Sequence, residues 1–320
     1  MTLSSRQINE LLSANGLHPS RALGQNFVGD PNTVRRIARL AEIDPGQRVV
    51  EIGAGLGSLT LALAEAGALV RAVEIDQRLV PILRSIVEPI GVEVHQADAL
   101  TIDWTELLGE NSGALGTRVR VAPEGESGYR CAEVPEESKP TPSTPWVLVA
   151  NLPYNVAVPV IIRVLELAPM IDRMLVMVQR EVAERLVAGS GDPAYGAVSV
   201  KVAYFADASI VGRVPPSVFV PRPNVESALV RVVRTPGVAV STEIVPYDRL
   251  FELVRAGFAH RRKMLRRSLA GLLTAEQFAK ADVDSSSRAE DLGVLDWGRL
   301  AATREVGSLE VAIVEQEATK

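Results

Sequence analysis

Five short apolar runs, separated by helical patterns, constrain this chain more than any other feature. The runs are Arg48–Ile52, Leu69–Glu74, Val92–Gln96, Trp146–Ala150 and Met174–Gln179, and residues near 58–66, 77–87, 103–108 and 156–167 carry helical spacing between them. Such alternation predicts an α/β fold, a mostly parallel sheet with helices on both faces. Two later β-rich stretches, Ser199–Ala206 and Ser227–Val233, are expected to complete a seven-stranded sheet, with room for one antiparallel member. Ligands of such sheets bind beyond the carboxyl ends of the strands, where the strand order reverses. Chemistry is therefore to be sought at strand ends.

Outside the alternation, a short helix is expected near residues 5–15, and Asp30-Pro31 supplies an N-cap and N1 proline for another. From about 240 onward the pattern turns helical, over Tyr247–Gly271, Ala275–Ala281 and residues near 295–303. The division expected is a domain over 1–238 and a small helical domain over 239–320. Residues 109–145 break the pattern with Pro123, Pro135, Pro140, Pro142 and Pro145, and they read as a disordered insert. The single cysteine, Cys131, lies there, which leaves no internal disulfide framework and no cysteine-based zinc site.

No apolar run reaches the roughly 18 residues that a membrane span needs. Met1-Thr-Leu-Ser-Ser-Arg6 lacks the basic-then-apolar layout of a secretory signal, so a cytoplasmic location is expected. The formal charge of −5 argues against a nucleic-acid partner on average. Binding depends on patches, however, and the charge is segregated. No acid falls between Glu252 and Glu276, while Arg255, Arg261, Arg262, Lys263, Arg266 and Arg267 all do. A solvated helix face is the plainer alternative.

Glu51-Ile-Gly53-Ala-Gly55-Leu-Gly57 follows the first run and opens a helix. Glycines there let the backbone approach a ligand closely. A dinucleotide fingerprint is not met, because the sixth position from Gly53 is Ser58. Glu74, ending the second run, can grip two ribose hydroxyls, or be an ordinary solvated carboxylate. Asp98, just after the third, can accept from an adenine amine or cap a helix. Directly after the fourth run, Asn151-Leu-Pro-Tyr154 sets an amide, the Leu152 carbonyl preceding Pro153, and an aromatic face at one sheet edge. Asn151 and Leu152 can accept the two N–H groups of an exocyclic amine while Tyr154 stacks on its ring. A strand followed by an X-Pro turn is the alternative.

The E-x-G-x-G-x-G spacing resembles that of S-adenosylmethionine-dependent methyltransferases. With Asn151-Leu-Pro-Tyr154 added, the chain closely resembles the ribosomal-RNA adenine dimethyltransferases of the small-subunit (KsgA) type. Leu23-Gly-Gln-Asn-Phe-Val28 looks like that family's cofactor segment, with Val28 where leucine is usual and Ala54 in place of a frequent proline. The resemblance implies a Rossmann-like methyltransferase fold. It also implies cofactor contacts from Asn26, Val28, Gly53, Gly55, Glu74, Asp98 and Asn151. Phe219-Val-Pro-Arg-Pro-Asn-Val-Glu-Ser-Ala228 resembles the loop that bears a second aromatic for a flipped base, and Phe219 is expected to stack, a core residue being the plainer alternative. Phe258–Ser268 resembles the family's arginine-rich helix, with Arg261, Arg262, Lys263 and Arg266 meeting RNA.

The implied activity is N6,N6-dimethylation of two adjacent adenosines in the 3′-terminal hairpin of small-subunit rRNA. S-Adenosylmethionine is the expected donor, no metal takes part, and no histidine lies in the cofactor or adenine motifs. The expected partner is small-subunit rRNA within a pre-ribosomal 30S particle, met by a monomer away from any membrane. The alternatives are a large-subunit rRNA methyltransferase of the drug-resistance type and a non-catalytic ribosome-assembly factor.

Overall fold

The computed structural model describes residues 2–20, 22–109, 118–121, 130–133 and 144–304. The five apolar runs fold as β1 (Arg48–Ile52), β2 (Leu69–Glu74), β3 (Glu93–Gln96), β4 (Trp146–Asn151) and β5 (Ile171–Gln179). With β6 (Ala206–Val214) and β7 (Ser227–Arg234) they form one seven-stranded sheet in the order β3-β2-β1-β4-β5-β7-β6. The pairs β1–β2, β2–β3, β1–β4 and β4–β5 are parallel, whereas β7 runs antiparallel to β5. Every residue of β1 and β2 is buried, the charged Arg48, Glu51, Arg71 and Glu74 included, so their sequences show no apolar–polar alternation. The order reverses between β1 and β4.

Helices follow the strands: α1 (Ser5–Ala14) and α2 (Pro31–Leu40) precede the sheet, α3 (Ser58–Glu65) follows β1, and α4 (Val80–Val87) follows β2. After β3, β4 and β5 come α5 (Trp104–Leu108), α6 (Ala157–Leu167) and α7 (Arg180–Val187). Asp30 caps α2 as read, accepting the Thr33 N–H at 3.0 Å. Residues 27–28 pair antiparallel with 219–220, Val28 directly opposite Phe219. Within the proline-rich insert, Arg118–Val121 and Arg130–Glu133 form an antiparallel pair. The rest of the expected disorder lies outside the described residues.

Two expectations are corrected. Residues 199–206 are not a strand: Ala197–Phe205 is a helix, α8. Its valines suit a strand by propensity, but Val200 and Tyr204 pack with Leu250, Phe251 and Val254 in a core of their own, and packing overrides propensity. The strand in this region is β6, which begins directly after it. The helix expected over Tyr247–Gly271 instead stops at Ala259, as α9 (Tyr247–Ala259). Backbone bonds from Leu265 N–H to the Ser287 carbonyl at 2.8 Å and from Arg266 N–H to Ser285 at 2.9 Å redirect the chain. A short helix, α10 (Leu265–Ser268), follows, then α11 (Ala275–Lys280) and α12 (Val294–Ala302).

The chain divides into two compact units. One comprises residues 1–187 and 207–234; the other comprises 188–206 and 235–320, so α8 belongs with the helical segment and not with the sheet.

In the helical unit, a Cβ at Gly257 of α9 would meet Trp297 Cη2 of α12 at 2.5 Å, and Trp297 is completely buried. Helix propensity favours alanine by about 1 kcal/mol, but overpacking costs about 1–3 kcal/mol. Gly257→Ala is therefore expected to lower stability by up to about 2 kcal/mol in urea unfolding. A raised midpoint would mean the indole yields without cost.

Candidate functional site

β1 ends at Ile52 and the chain turns through Gly53–Gly57 into α3. Gly55 has φ +60°, and a Cβ there would meet Phe27 Cε1 at 3.0 Å, so both the backbone and the space demand glycine. The donors of the turn are already committed. Gly53 and Ala54 N–H donate to the Val73 carbonyl at 2.8 and 3.2 Å, and Gly57 donates to Ala54. Gly55 N–H donates to Glu74 Oε2 at 2.7 Å. A pyrophosphate would find few donors here.

Glu74, at the end of β2, also accepts the Asp76 N–H at 2.9 Å and is almost fully buried. Burial pushes its carboxyl above the usual range, while the N–H bonds from Asp76 and Gly55 pull the other way. Glu51, on β1, is 1% exposed and its Oε2 has no hydrogen-bond partner. Burial pushes Glu51 up to about 8; the nearby Thr60 hydroxyl opposes this and the Glu74 charge adds to it. Asp76 shows the opposite case. Its bond to the Arg78 guanidinium, 2.7 Å from Oδ2, holds it down at about 2.

These groups border an open cleft beside the switch point, walled by residues 23–28, Glu51, 53–56, 58–59, 74–75, Leu79 and 151–154. Among the described residues the lining holds two acids, Glu51 and Glu74, and no base. It favours a cation.

Asn151 ends β4, and its Nδ2 donates to the Asn26 carbonyl at 2.9 Å. That bond fixes the amide and leaves Oδ1 as an acceptor. Leu152 N–H donates to Met177 at 3.1 Å, while the Leu152 carbonyl precedes Pro153. The Tyr154 hydroxyl meets the Ser227 hydroxyl at 2.9 Å, so the first residue of β7 anchors the ring. Burial raises the Tyr154 hydroxyl above its ordinary value, and the Ser227 bond opposes this. Asn26 and Val28 line the same cavity. Gln25 Nε2 donates to Asp76 Oδ2 at 2.9 Å, which ties residues 23–28 to the rim beyond β2.

Two expected residues are not brought to the cavity. Asp98 caps the turn after β3, its Oδ1 accepting the Leu100 N–H at 2.9 Å, and does not line the cavity. Phe219 is 4% exposed and packs in the sheet core with Val28, Val214 and Leu229, so its ring offers no stacking face in this structure. Two others were missed. Glu51 stood in the glycine pattern and signalled itself there; Ser227 carried no local signal, because its partner lies 73 residues away.

In the helical unit, Arg261 Nε meets Glu290 Oε2 at 2.6 Å and Nη2 donates to the Pro193 carbonyl at 2.7 Å. Arg262, Lys263, Arg266 and Arg267 are exposed and make no ion pair among the described residues. The basic stretch is therefore a turn plus one short helix, not the single helix expected.

A family model described as ribosomal RNA adenine dimethylase matches residues 18–304. The ribosomal RNA small subunit methyltransferase A of Thermobifida fusca is 43% identical over 307 residues, covering 94% of this chain and 96% of that protein. The protein of the same name from Cutibacterium acnes is 40% identical over 316 residues, covering 96% of each. Among solved structures, a dimethyladenosine transferase from Plasmodium falciparum superposes with a TM-score of 0.62 at 22% identity, over 85% of this chain and 94% of that one. The 23S rRNA methyltransferase ErmE gives 0.59 at 24% identity, over 87% and 98%. At these identities the two structures bear on the fold alone.

An acid held above its unfolded value binds its proton more tightly when folded. The stability this provides is present below about 4.5 and is lost as pH climbs toward 8. Glu51→Gln should therefore gain on the parent chain by roughly 3–4 kcal/mol between pH 5 and 8, at about 1.36 kcal/mol per unit. Urea unfolding across that range measures it, and a gap independent of pH would mean Glu51 keeps its charge in the fold.

Proposed function

Because the chain belongs to the ribosomal RNA adenine dimethylase family, we propose that it methylates N6 of adenosines in small-subunit ribosomal RNA. The observation that carries this reading is one cavity rim holding both an acid-lined glycine turn and Asn151-Leu-Pro-Tyr154. S-Adenosylmethionine, when bound, supplies a methyl group activated by a sulfonium. The residues present suit it: a Cβ-free turn allows close approach, Glu74 can accept from ribose hydroxyls, and two acids favour a cationic guest. Asn26, Val28, Gly53, Gly55 and Asn151 would hold the remaining length. Asp98 would serve the adenine end through Oδ2, the oxygen its turn does not use.

The lone pair of an adenine N6 amine is delocalised into the ring, which makes it a poor nucleophile. Asn151 Oδ1 and the Leu152 carbonyl accept its two hydrogens and favour a pyramidal nitrogen. The Asn26 carbonyl keeps the amide in the accepting orientation. Tyr154, anchored through Ser227, stacks on the extruded base. Placement in line with the methyl group then does most of the work. The methylated nitrogen is cationic and sheds its proton to water, so no strong base is required.

Small-subunit RNA is favoured over large-subunit RNA because relatives about 40% identical over nearly the whole chain carry the small-subunit name. A non-catalytic assembly factor could dispense with the acceptors and acids that are all retained here. By family resemblance the reading extends to two adjacent adenosines of the 3′-terminal hairpin, met in a pre-ribosomal 30S particle in the cytoplasm by a single copy of the chain. Arg262, Lys263, Arg266 and Arg267 meet RNA phosphates, whereas Arg261 is held by Glu290 and braces the fold.

Asn151→Ala is expected to reduce methyl transfer to small-subunit particles by at least a hundredfold while cofactor binding persists; undiminished turnover would remove Asn151 from catalysis. Four phosphate contacts give a slope of log affinity against log salt near −3, from about −0.7 to −0.9 per contact. Reversing the charges of Arg262 and Lys263 should make that slope shallower by about 1.5. An unaltered slope would return the basic segment to the role of a solvated surface.

A further inference from the structure

Glu51 is not needed to grip ribose, stack a base or accept an amine proton. Yet it is a buried acid in the wall of the cavity with an oxygen that nothing satisfies. Among the described residues Oε2 has no partner within hydrogen-bond distance, and the Ser58 hydroxyl on the first turn of α3 is buried and unpartnered as well; the nearby Thr60 hydroxyl favours the carboxylate, but burial outweighs it. A carboxylate left like this is costly unless it is neutral or a cation visits it. Among the described residues its surroundings offer no resident cation. On β2 the facing acid is Glu74, and Asp76 beyond it is already neutralised by Arg78. The β4 partner strand and residues 23–28 bring only neutral side chains. Glu65, the one acid of α3, lies at its far end in an ion pair with Arg35.

We propose that Glu51 is a charge sensor that discriminates the sulfonium donor from its spent product, an inference that rests on S-adenosylmethionine being the guest. The donor carries one positive charge more than S-adenosylhomocysteine. When the donor binds, Glu51 gives its proton to solvent and its carboxylate faces the added charge. After methyl transfer that charge is gone, the carboxylate takes a proton back from water, and the product is held less tightly than the donor. Two methylations on one nitrogen require the product to leave and fresh donor to enter, so this bias serves repeated turnover. Burial, which holds the empty-site carboxyl at about 8, places the exchange within the working pH range.

Titration calorimetry on the full chain tests this with both nucleosides from pH 6.5 to 8.5. The sulfonium charge makes the donor's α-ammonium more acidic than the product's, and this titration cancels when the parent chain is divided by Glu51→Gln at each pH. The donor-to-product affinity ratio of the parent chain, taken relative to that of Glu51→Gln, should rise by roughly tenfold over that range, within the limit of tenfold per pH unit for one linked proton. Independently of any variant, donor binding to the parent chain at pH 7, compared in two buffers of different ionisation enthalpy, should release a fraction of a proton, and product binding less. A quotient of parent to Glu51→Gln that stays constant over the range would overturn the proposal, pointing to Glu74 if both proteins show the same rise. If neither nucleoside bound the parent chain at any pH, the methyl-donor reading itself would fall, and this inference with it.

Discussion

The hydrogen bond from Gly55 N–H to Glu74 Oε2, 2.7 Å long, joins the ends of β1 and β2 beside the point where the sheet reverses its order, between β1 and β4. Much of the site depends on it. It uses one carboxylate oxygen of Glu74 while the Asp76 N–H takes the other, so the side chain cannot swing out of the rim. It also holds the turn where the Phe27 ring can lie over Gly55, and only a residue without a Cβ leaves that space. Phe27 belongs to the segment that closes the cavity from the other side. That segment is fastened twice more, through Gln25 to Asp76 and through the Asn26 carbonyl to Asn151. A charge-assisted bond of this kind is worth about 1.5–3 kcal/mol, small beside the burial of the sheet. Its importance is geometric: three separate stretches of chain are given one relative position.

Acids along this rim behave in opposite ways for a single reason. Asp76 has Arg78 within bonding distance and is held down at about 2, whereas Glu51 has no guanidinium and rises to about 8. The same chemistry under different neighbours separates a structural acid from one reserved for a guest. In stability alone, a glutamine or an apolar side chain at position 51 would serve the fold better. Buried polar groups left unsatisfied tend to mark places where local rules are broken for function.

Most of the sheet was legible because β1, β2 and β4 are covered on both faces and so read as short, mainly apolar runs without alternation. β5 was short by three residues at its start, where Asp172 and Arg173 interrupt the apolar pattern. α8 was misread because Val198, Val200 and Val202 satisfy the period of a strand, and only a second core, distant in sequence, makes them a helix. The break after Ala259 had no signal at all; it is imposed by backbone pairing with residues 285–287. In the site, strand-end residues such as Glu74 and Asn151 were legible from position and chemistry together. Ser227 was not, since its part is defined by Tyr154. Phe219 matched the sequence pattern for a stacking aromatic and is nonetheless core, because Val28 lies opposite it across a two-residue pairing.

A chain of net charge −5 that handles a polyanion looks contradictory until the charges are assigned places. The acids of the cavity suit a cationic donor, and an amine on a neutral base brings no charge to repel. Phosphates need cations, and four exposed ones, Arg262, Lys263, Arg266 and Arg267, fall within 262–267, where no acid interrupts them. Arg261 belongs to that cluster in sequence but is neutralised by Glu290. Counting basic residues along the chain therefore overstates the charge available to RNA. Net charge sets only the long-range average, which salt screens within about 10 Å at 0.1 M. At contact distance the arrangement decides: acids where the donor sits, and unpaired cations on a surface of their own.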